Sequence, residues 1–367
     1  MFLAFLVVAM VLFGLLMVYS ASYIFAEERT GDGFTFIRKQ VFYAVLGFCA
    51  FFVSSRVPHQ KWYQWAPMAL LTVTGMLVLV MLPGVGAKVG GAQRWINLGL
   101  FRFQPAEFAK LFGVMFVARQ LVKHQRHLNT FRKGVVAPIA LLLPVMVLLL
   151  AQPDFGSTVL LAGTTFILMF VAGVRPLYLF GGLFSAVGAA VTLVVTSPYR
   201  MTRVMTFIDP WRDPAGKGFQ VIQSMLGLHN GSLFGQGLGN GKEKLFFLPE
   251  AHNDFIFAVI GEELGFIGVT AVIFAYIFFI YRGLRISWNA LHGRQDRFGF
   301  YLGAGISIIL GLQAFINMGV VMGLLPTKGL TLPFISYGGS ALTLNLFAIG
   351  ILYSISKANE ASYRGSF

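Results

Sequence analysis

The sequence predicts an all-α integral membrane protein: a bundle of ten transmembrane helices with a large extracytoplasmic loop between the seventh and the eighth. Three observations predict it. Of 367 residues, 57% are hydrophobic and only 11% charged, against about 25% charged in a soluble domain, so the bilayer must solvate most of the chain. Apolar runs long enough to cross about 30 Å of hydrocarbon recur along the whole length. Nearly all basic residues lie outside those runs, many of them in short segments between them.

The runs fall at 2–22, 40–55, 66–82, 105–121, 135–151, 156–173, 177–196, 254–281, 299–322 and 336–356. The first has no basic residues before it and is too long for a signal-peptide core. It is read as a span, with any cytoplasmic tail ahead of it absent from the sequence. The weakest is 105–121, which holds Glu107 and Lys110. One polytopic domain, 1–367, is expected, with 197–253 as a loop within it.

Segments 119–133 (Arg119, Lys123, Arg126, Arg132, Lys133) and 282–297 (Arg282, Arg285, Arg294, Arg297) carry the densest positive charge. Four spans separate them, so they share a face, and Lys and Arg in short loops mark the cytoplasm. Both termini are then cytoplasmic, and 23–38, 83–104, 152–155, 197–253 and 323–335 lie outside. The net charge of +14 is explained by loop retention and anionic lipid. Nucleic acid is not an expected partner, because no basic tail or basic helix stands outside the spans. The single cysteine, Cys49, excludes an intramolecular disulfide.

Chemistry-bearing residues gather at the outer boundary. An ionisable group in a span is costly unless paired or hydrated, which makes each a functional candidate. Glu107 and Lys110, three apart, share a helix face; they serve either as a structural ion pair or as a cation held for a phosphate. Arg94 can join them from the same side, and Trp95 beside it reads as an interfacial anchor or a substrate contact. Asp154, ahead of Phe155–Gly156–Ser157, can cap the following helix.

Asp254 is the sharpest candidate. It ends the run Leu248–Pro249–Glu250–Ala251–His252–Asn253–Asp254 directly before an apolar helix. The positive end of that helix favours an ionised carboxylate, which can either cap the helix or accept a proton. Glu262 and Glu263 lie roughly 12 Å deeper and suit structural pairing. His252 has no second histidine at ligand spacing, so no metal site is expected.

Loop 197–253 is rich in Gly, Pro and aromatics, with room for short interfacial helices such as Gln220–Leu228, which carries Gln223. The last outer segment, Leu325 to Ser340, contains Lys328, Ser336, Tyr337 and Ser340. Its hydroxyls and backbone N–H groups can cradle a phosphate, and Gly338–Gly339 serves equally for close helix packing.

The segments Gln104–Pro105–Ala106–Glu107–Phe108–Ala109–Lys110, Asp209–Pro210–Trp211–Arg212–Asp213–Pro214, Gly235–Gln236–Gly237–Leu238–Gly239, Leu248 to Gly265 and Pro326 to Ser340 together resemble the SEDS family (shape, elongation, division and sporulation). The resemblance covers nearly the whole chain. The runs Leu248–Gly265 and Pro326–Ser340 read as the versions in the family's division proteins rather than its elongation proteins. Asn253 and Ala106 depart from an expected threonine and serine, leaving the acid and base positions intact.

This resemblance implies a peptidoglycan glycosyltransferase that joins lipid II units at the outer face of the cytoplasmic membrane for septal wall synthesis. It implies a class B penicillin-binding protein transpeptidase of the division type as partner, with other divisome membrane proteins. The family's essential aspartate maps to Asp254, the expected general base. Lys110, Arg94 and Arg203 are expected to offset charge on the departing undecaprenyl pyrophosphate. Trp95, Glu107, Gln223, Glu250, His252, Lys328, Ser336, Tyr337 and Ser340 are the further expected substrate contacts. No resident cofactor is expected, although Mg²⁺ or Mn²⁺ can accompany the pyrophosphate.

Two other readings stay open. A lipid II flippase would need polar residues through the full membrane depth, whereas here they crowd the outer half. A non-catalytic division scaffold predicts no special role for Asp254.

Overall fold

The computed structural model describes residues 2–89, 92–97, 102–216, 218–249 and 251–364. Its helices are α1 (Phe2–Thr30), α2 (Thr35–Arg56), α3 (His59–Met81), α4 (Pro105–Lys123), α5 (Ala137–Ala140), α6 (Leu142–Ala151), α7 (Phe155–Val171), α8 (Pro176–Val195), α9 (Pro198–Ile208), α10 (Phe219–Asn230), α11 (Ile256–Arg294), α12 (Arg297–Val321) and α13 (Gly339–Arg364). Helix therefore occupies the bulk of every apolar run.

Among the described residues, α1, α2, α3, α8, α11, α12 and α13 are long and apolar enough to cross a membrane, and an eighth span results if the segments flanking Leu141 count as one. Those segments meet at 45°. Pro144 cannot donate to the carbonyl four residues back, so the helix breaks there. Helix α4 carries Glu107, Lys110, Arg119 and Lys123 within 19 residues. Helix α7 is 17 residues long, a little short for a full crossing.

Three features differ from the sequence expectation. Segment 83–104 is not merely loop: it folds into an antiparallel sheet of β1 (Gly86–Val89), β2 (Ala92–Asn97) and β3 (Arg102–Phe103), with Ala87 opposite Trp95 and Ile96 opposite Phe103. The fold is thus helical with one small β element. Helix α1 continues to Thr30, so the expected outer loop 23–38 shrinks. Helix α11 continues to Arg294, so most of the basic segment 282–297 is helix.

The chain divides into two compact units. The first comprises Met1–Ala44, Phe184–Phe279 and Gln313–Gly338. Its core includes Met17, Val18, Phe257, Val259, Tyr276 and Phe334. The second comprises Val45–Leu183, Ile280–Leu312 and Gly339–Phe367, around Leu77, Val114, Phe116, Leu149, Leu160 and Leu302. In it Asp296 accepts from the Gly299 N–H at the start of α12 (2.9 Å) and pairs with His59.

The first unit is organised around a broken helix. Within α11, Gly265 takes φ 66° and ψ −163°, so the helix stops at Leu264 and restarts at Phe266. Only glycine adopts this backbone region without strain. A break inside a membrane is tolerated where the freed groups find other partners, and loop 231–237 supplies them. The Gln236 and Gly237 N–H groups donate to the Glu262 and Glu263 carbonyls (2.9 and 3.0 Å), while Phe266 and Ile267 donate to the Ser232 and Leu233 carbonyls (2.9 and 3.3 Å). The approach is close: a Cβ on Gly265 would lie 2.3 Å from the Gly235 nitrogen, and one on Gly235 (φ +80°) 2.1 Å from the Glu263 carbonyl oxygen.

Candidate functional site

Asp254 lies in the turn that precedes α11. The carbonyl of Asp254 accepts from Asn317 Nδ2 on α12 (2.8 Å), and the same nitrogen donates to the Leu330 carbonyl. One turn earlier on α12, Gln313 Nε2 donates to the Thr331 carbonyl (2.9 Å). Gly329 packs beside the carboxylate: a Cβ there would stand 3.0 Å from Asp254 Oδ2. The Asp254 turn and the half-buried Lys328 with its neighbours are thereby drawn together.

His252 is buried, its ring against Phe36, Tyr337 and Phe25 at centroid distances of 4.6, 5.5 and 5.6 Å. Its carbonyl accepts from the Tyr337 N–H (3.0 Å). Ser336 is buried too. Its hydroxyl accepts from the Leu332 N–H (2.8 Å), and its carbonyl from Gln40 Nε2 (3.0 Å). These contacts shape segment 325–340 and hold it against the Asp254 turn. The phosphate cradle expected from its hydroxyls is therefore not an open one at Ser336.

Below the turn, both glutamates of α11 are wholly buried. Glu262 accepts from the Lys242 N–H (2.7 Å) and the Glu243 N–H (3.2 Å). Glu263 forms an ion pair with Lys244 (2.6 Å) and accepts from the Ser20 hydroxyl (2.7 Å). Glu263 thus has the structural pairing expected of it, while Glu262 is held by backbone N–H groups. Burial, and secondarily the Glu262 carboxylate, push the Glu243 carboxyl up to about 7.

In the second unit, Glu107 and Lys110 pair at 2.8 Å, both buried. Arg94 donates through Nε to the Gln152 carbonyl and through Nη2 to that of Pro153, both at 2.8 Å, tying β2 to the α6–α7 turn. Trp95 is half-buried on the same strand. Asp154 caps α7, accepting from the Ser157 N–H (3.1 Å) and hydroxyl (2.7 Å). The Ser340 hydroxyl accepts from the Gln104 N–H (3.2 Å) and donates to the Arg102 carbonyl (3.1 Å), which anchors the start of α4.

Gln223 sits half-buried on α10. Arg203 lies on α9, but its side chain falls outside the described residues, as Glu250 does altogether. Beside α9 a cavity of about 330 Å³ is lined by Thr202, Thr206, Asp209, Arg212 and Asp213 among others. Among the described residues no three His, Cys, Asp or Glu side chains gather to hold a metal.

Sequence reasoning passed over Asn317, Gln313, Gln40 and Lys244. A signal existed for the first two, which stand four apart in an apolar run and so share a helix face.

Residues 1–361 match the model of a family described as FtsW/RodA/SpoVE cell cycle proteins. The chain belongs to this family. A "Probable peptidoglycan glycosyltransferase FtsW" of Geobacter metallireducens is 45% identical over 349 residues, 95% of this chain and 92% of that protein. Stage V sporulation protein E of Bacillus subtilis is 41% identical over 345 residues, 94% of this chain and 93% of that protein. Among solved structures, a chain described under "Structural coordination of polymerization and crosslinking by a peptidoglycan synthase complex" aligns with a TM-score of 0.79 and 30% identity, covering 97% of each chain. The rod shape determining protein RodA of Thermus thermophilus aligns with a TM-score of 0.69 and 27% identity, covering 97% of this chain and 96% of that one. In this FtsW/RodA/SpoVE chain, the first unit thus joins the Asp254 turn, the Lys328–Thr331 run and the α12 amides in one hydrogen-bonded assembly.

Proposed function

We propose that this chain is a peptidoglycan glycosyltransferase that polymerises lipid II into glycan strands for septal wall synthesis. The observation that carries the proposal is the Asp254 carboxylate at the start of α11, flanked by Gly329, in a chain of this family. The names of its 45%-identical relatives support the same activity.

The chemistry follows from the substrates. The GlcNAc 4-hydroxyl of lipid II attacks the anomeric carbon of the growing strand. The C–O bond to undecaprenyl pyrophosphate breaks, and the α-linkage inverts to β. Asp254 takes the hydroxyl proton as the new bond forms. Positive side chains offset the charge that grows on the pyrophosphate; Lys110, Arg94, Arg203 and Lys328 are the cations assigned to this role. Lys110 and Arg94 already have partners on the chain, so each would act while still held by them. Gln223, Trp95, Tyr337 and Glu250 are assigned to the sugars and peptide, whereas His252, Ser336 and Ser340 act by holding the segments that carry the site. Any Mg²⁺ or Mn²⁺ would enter on the pyrophosphate oxygens.

The lipid tails of both substrates require a site at the bilayer surface. The proposal therefore includes ten spans in one membrane domain, both termini in the cytoplasm and the Asp254 face outward. With the exposed Cys49 replaced, a cysteine at the exposed position 234 should react with impermeant maleimide from outside intact cells, and one at the exposed position 126 should not. Labelling of position 126 would reverse the orientation. The partner is a class B penicillin-binding protein transpeptidase, a pairing supported by the likeness to a chain of a peptidoglycan synthase complex. The direct test is incubation of the purified chain with lipid II, alone and with that partner. Long glycan strands are expected. Transfer of lipid II across vesicles without polymer would favour a flippase, and neither activity would favour a scaffold.

A further inference from the structure

We propose that Asn317 is a positioning residue for this reaction: its buried side-chain amide pins the Asp254 turn to the Lys328–Leu330 run and so sets where the carboxylate meets the acceptor hydroxyl. The inference rests on Asp254 being the general base.

Asn317 is 2% exposed, in an otherwise apolar stretch of α12. Both hydrogens of its Nδ2 are used, one on the Asp254 carbonyl (2.8 Å) and one on the Leu330 carbonyl. Its Oδ1 is buried and has no partner among the described residues. An orphaned buried acceptor is unfavourable, so what the amide gains lies in the two carbonyls it holds. Its distinctive effect is to hold two carbonyls that lie 63 and 13 residues away in sequence on a single nitrogen.

The Asp254 carbonyl is available for this contact because α11 opens tightly. In a regular helix it would serve the N–H of Ala258, but that group donates to the Phe255 carbonyl instead (2.9 Å). Gly329, next in sequence to the pinned Leu330, has its Cβ position 3.0 Å from Asp254 Oδ2. Release of either carbonyl would let the carboxylate drift relative to this flank. Gln313, one turn away, secures Thr331 from the same helix, so the loop stays near while its alignment with Asp254 depends on Asn317.

The test compares Asn317→Leu, Asn317→Asp, Asp254→Asn and Tyr276→Phe in lipid II polymerisation by the full chain. Tyr276 donates to the Pro333 carbonyl in the same loop, so its replacement removes a buried hydrogen bond without touching the Asp254 turn. Asn317→Leu and Asn317→Asp are expected to lower kcat by about 10- to 100-fold, the usual effect of a misplacement near 1 Å. KM for lipid II should stay close to the parent value, and the solvent deuterium isotope effect on kcat should rise as proton removal becomes limiting. Tyr276→Phe should lose thermal stability and keep its kcat and isotope effect. Parent kcat in a folded Asn317 variant, with Asp254→Asn inactive, overturns the positioning role alone. Parent activity in Asp254→Asn removes the base, and the positioning role with it. If neither Asn317 variant can be obtained folded, the amide is a determinant of the fold and the proposal fails.

Discussion

Replacing Gly265 by alanine should dislodge the glycine-rich loop from the break in α11. Alanine at φ 66° and ψ −163° enters a region essentially reserved for glycine, at about 1–3 kcal/mol. Its Cβ would stand 2.3 Å from the Gly235 nitrogen and 2.6 Å from the Leu233 carbonyl oxygen. Both atoms are backbone, so the loop itself must move. The four hydrogen bonds that join residues 232–237 to residues 262–267 then open, each worth roughly 0.5–1.5 kcal/mol net. Together the effects come to several kcal/mol, enough to lower Tm in detergent by roughly 5 °C or more. Limited proteolysis should show new cleavage between residues 231 and 241. The control is Gly75→Ala on α3, where a Cβ meets nothing within 4 Å; alanine there should be neutral or slightly stabilising. A Gly265→Ala protein with parent Tm and parent protease resistance would refute the view that this loop completes the broken helix.

Lys244→Met should destabilise the chain by about 3–5 kcal/mol, because it leaves the wholly buried Glu263 without its cation. Adding Glu263→Met should recover much of the loss, and thermal denaturation of the single and double variants checks both. Glu243, raised to about 7 when folded, takes up a proton on folding at pH values between its ordinary range and 7. Stability should therefore fall as pH rises through that window. Tm measured at pH 5.5 and at pH 8 should differ in that direction, and Glu243→Gln should flatten the dependence.

The features legible in the sequence were those that local spacing decides. Glu107 and Lys110 are one helical turn apart, so their pairing needs no knowledge of the fold. Asp154 stands three residues before the Ser157 N–H that it accepts from, so its cap could be read directly. Hydropathy placed the helices but not their ends. It reports where the hydrocarbon stops, whereas the helical backbone of α1 and α11 continues past the apolar run through Glu27–Arg29 and Arg282–Arg294. The strands β1 and β2 flank Gly90–Gly91 in the sequence, a two-glycine hairpin signal that hydropathy does not register. What the sequence could not give were tertiary partners. Arg94 is claimed by backbone carbonyls 58 and 59 residues away, and no side-chain pattern announces those. Glu263 pairs with Lys244, 19 residues before it and beyond the loop that meets the break at Gly265. Asn317 carries no charge, so the cost of ionisable residues in spans says nothing about it.

The measurement that tests the central claim most directly is glycan synthesis by purified Asp254→Asn protein supplied with lipid II and the proposed transpeptidase partner. Asparagine keeps the size of the side chain, so Tm and lipid II binding should match the parent. The backbone carbonyl that Asn317 holds is unchanged. With the base removed, the polymerisation rate should fall by about 10²–10⁴-fold. A folded, lipid II-binding Asp254→Asn protein that polymerises at near the parent rate would contradict the assignment of Asp254 as the base, and with it the mechanism proposed for this chain.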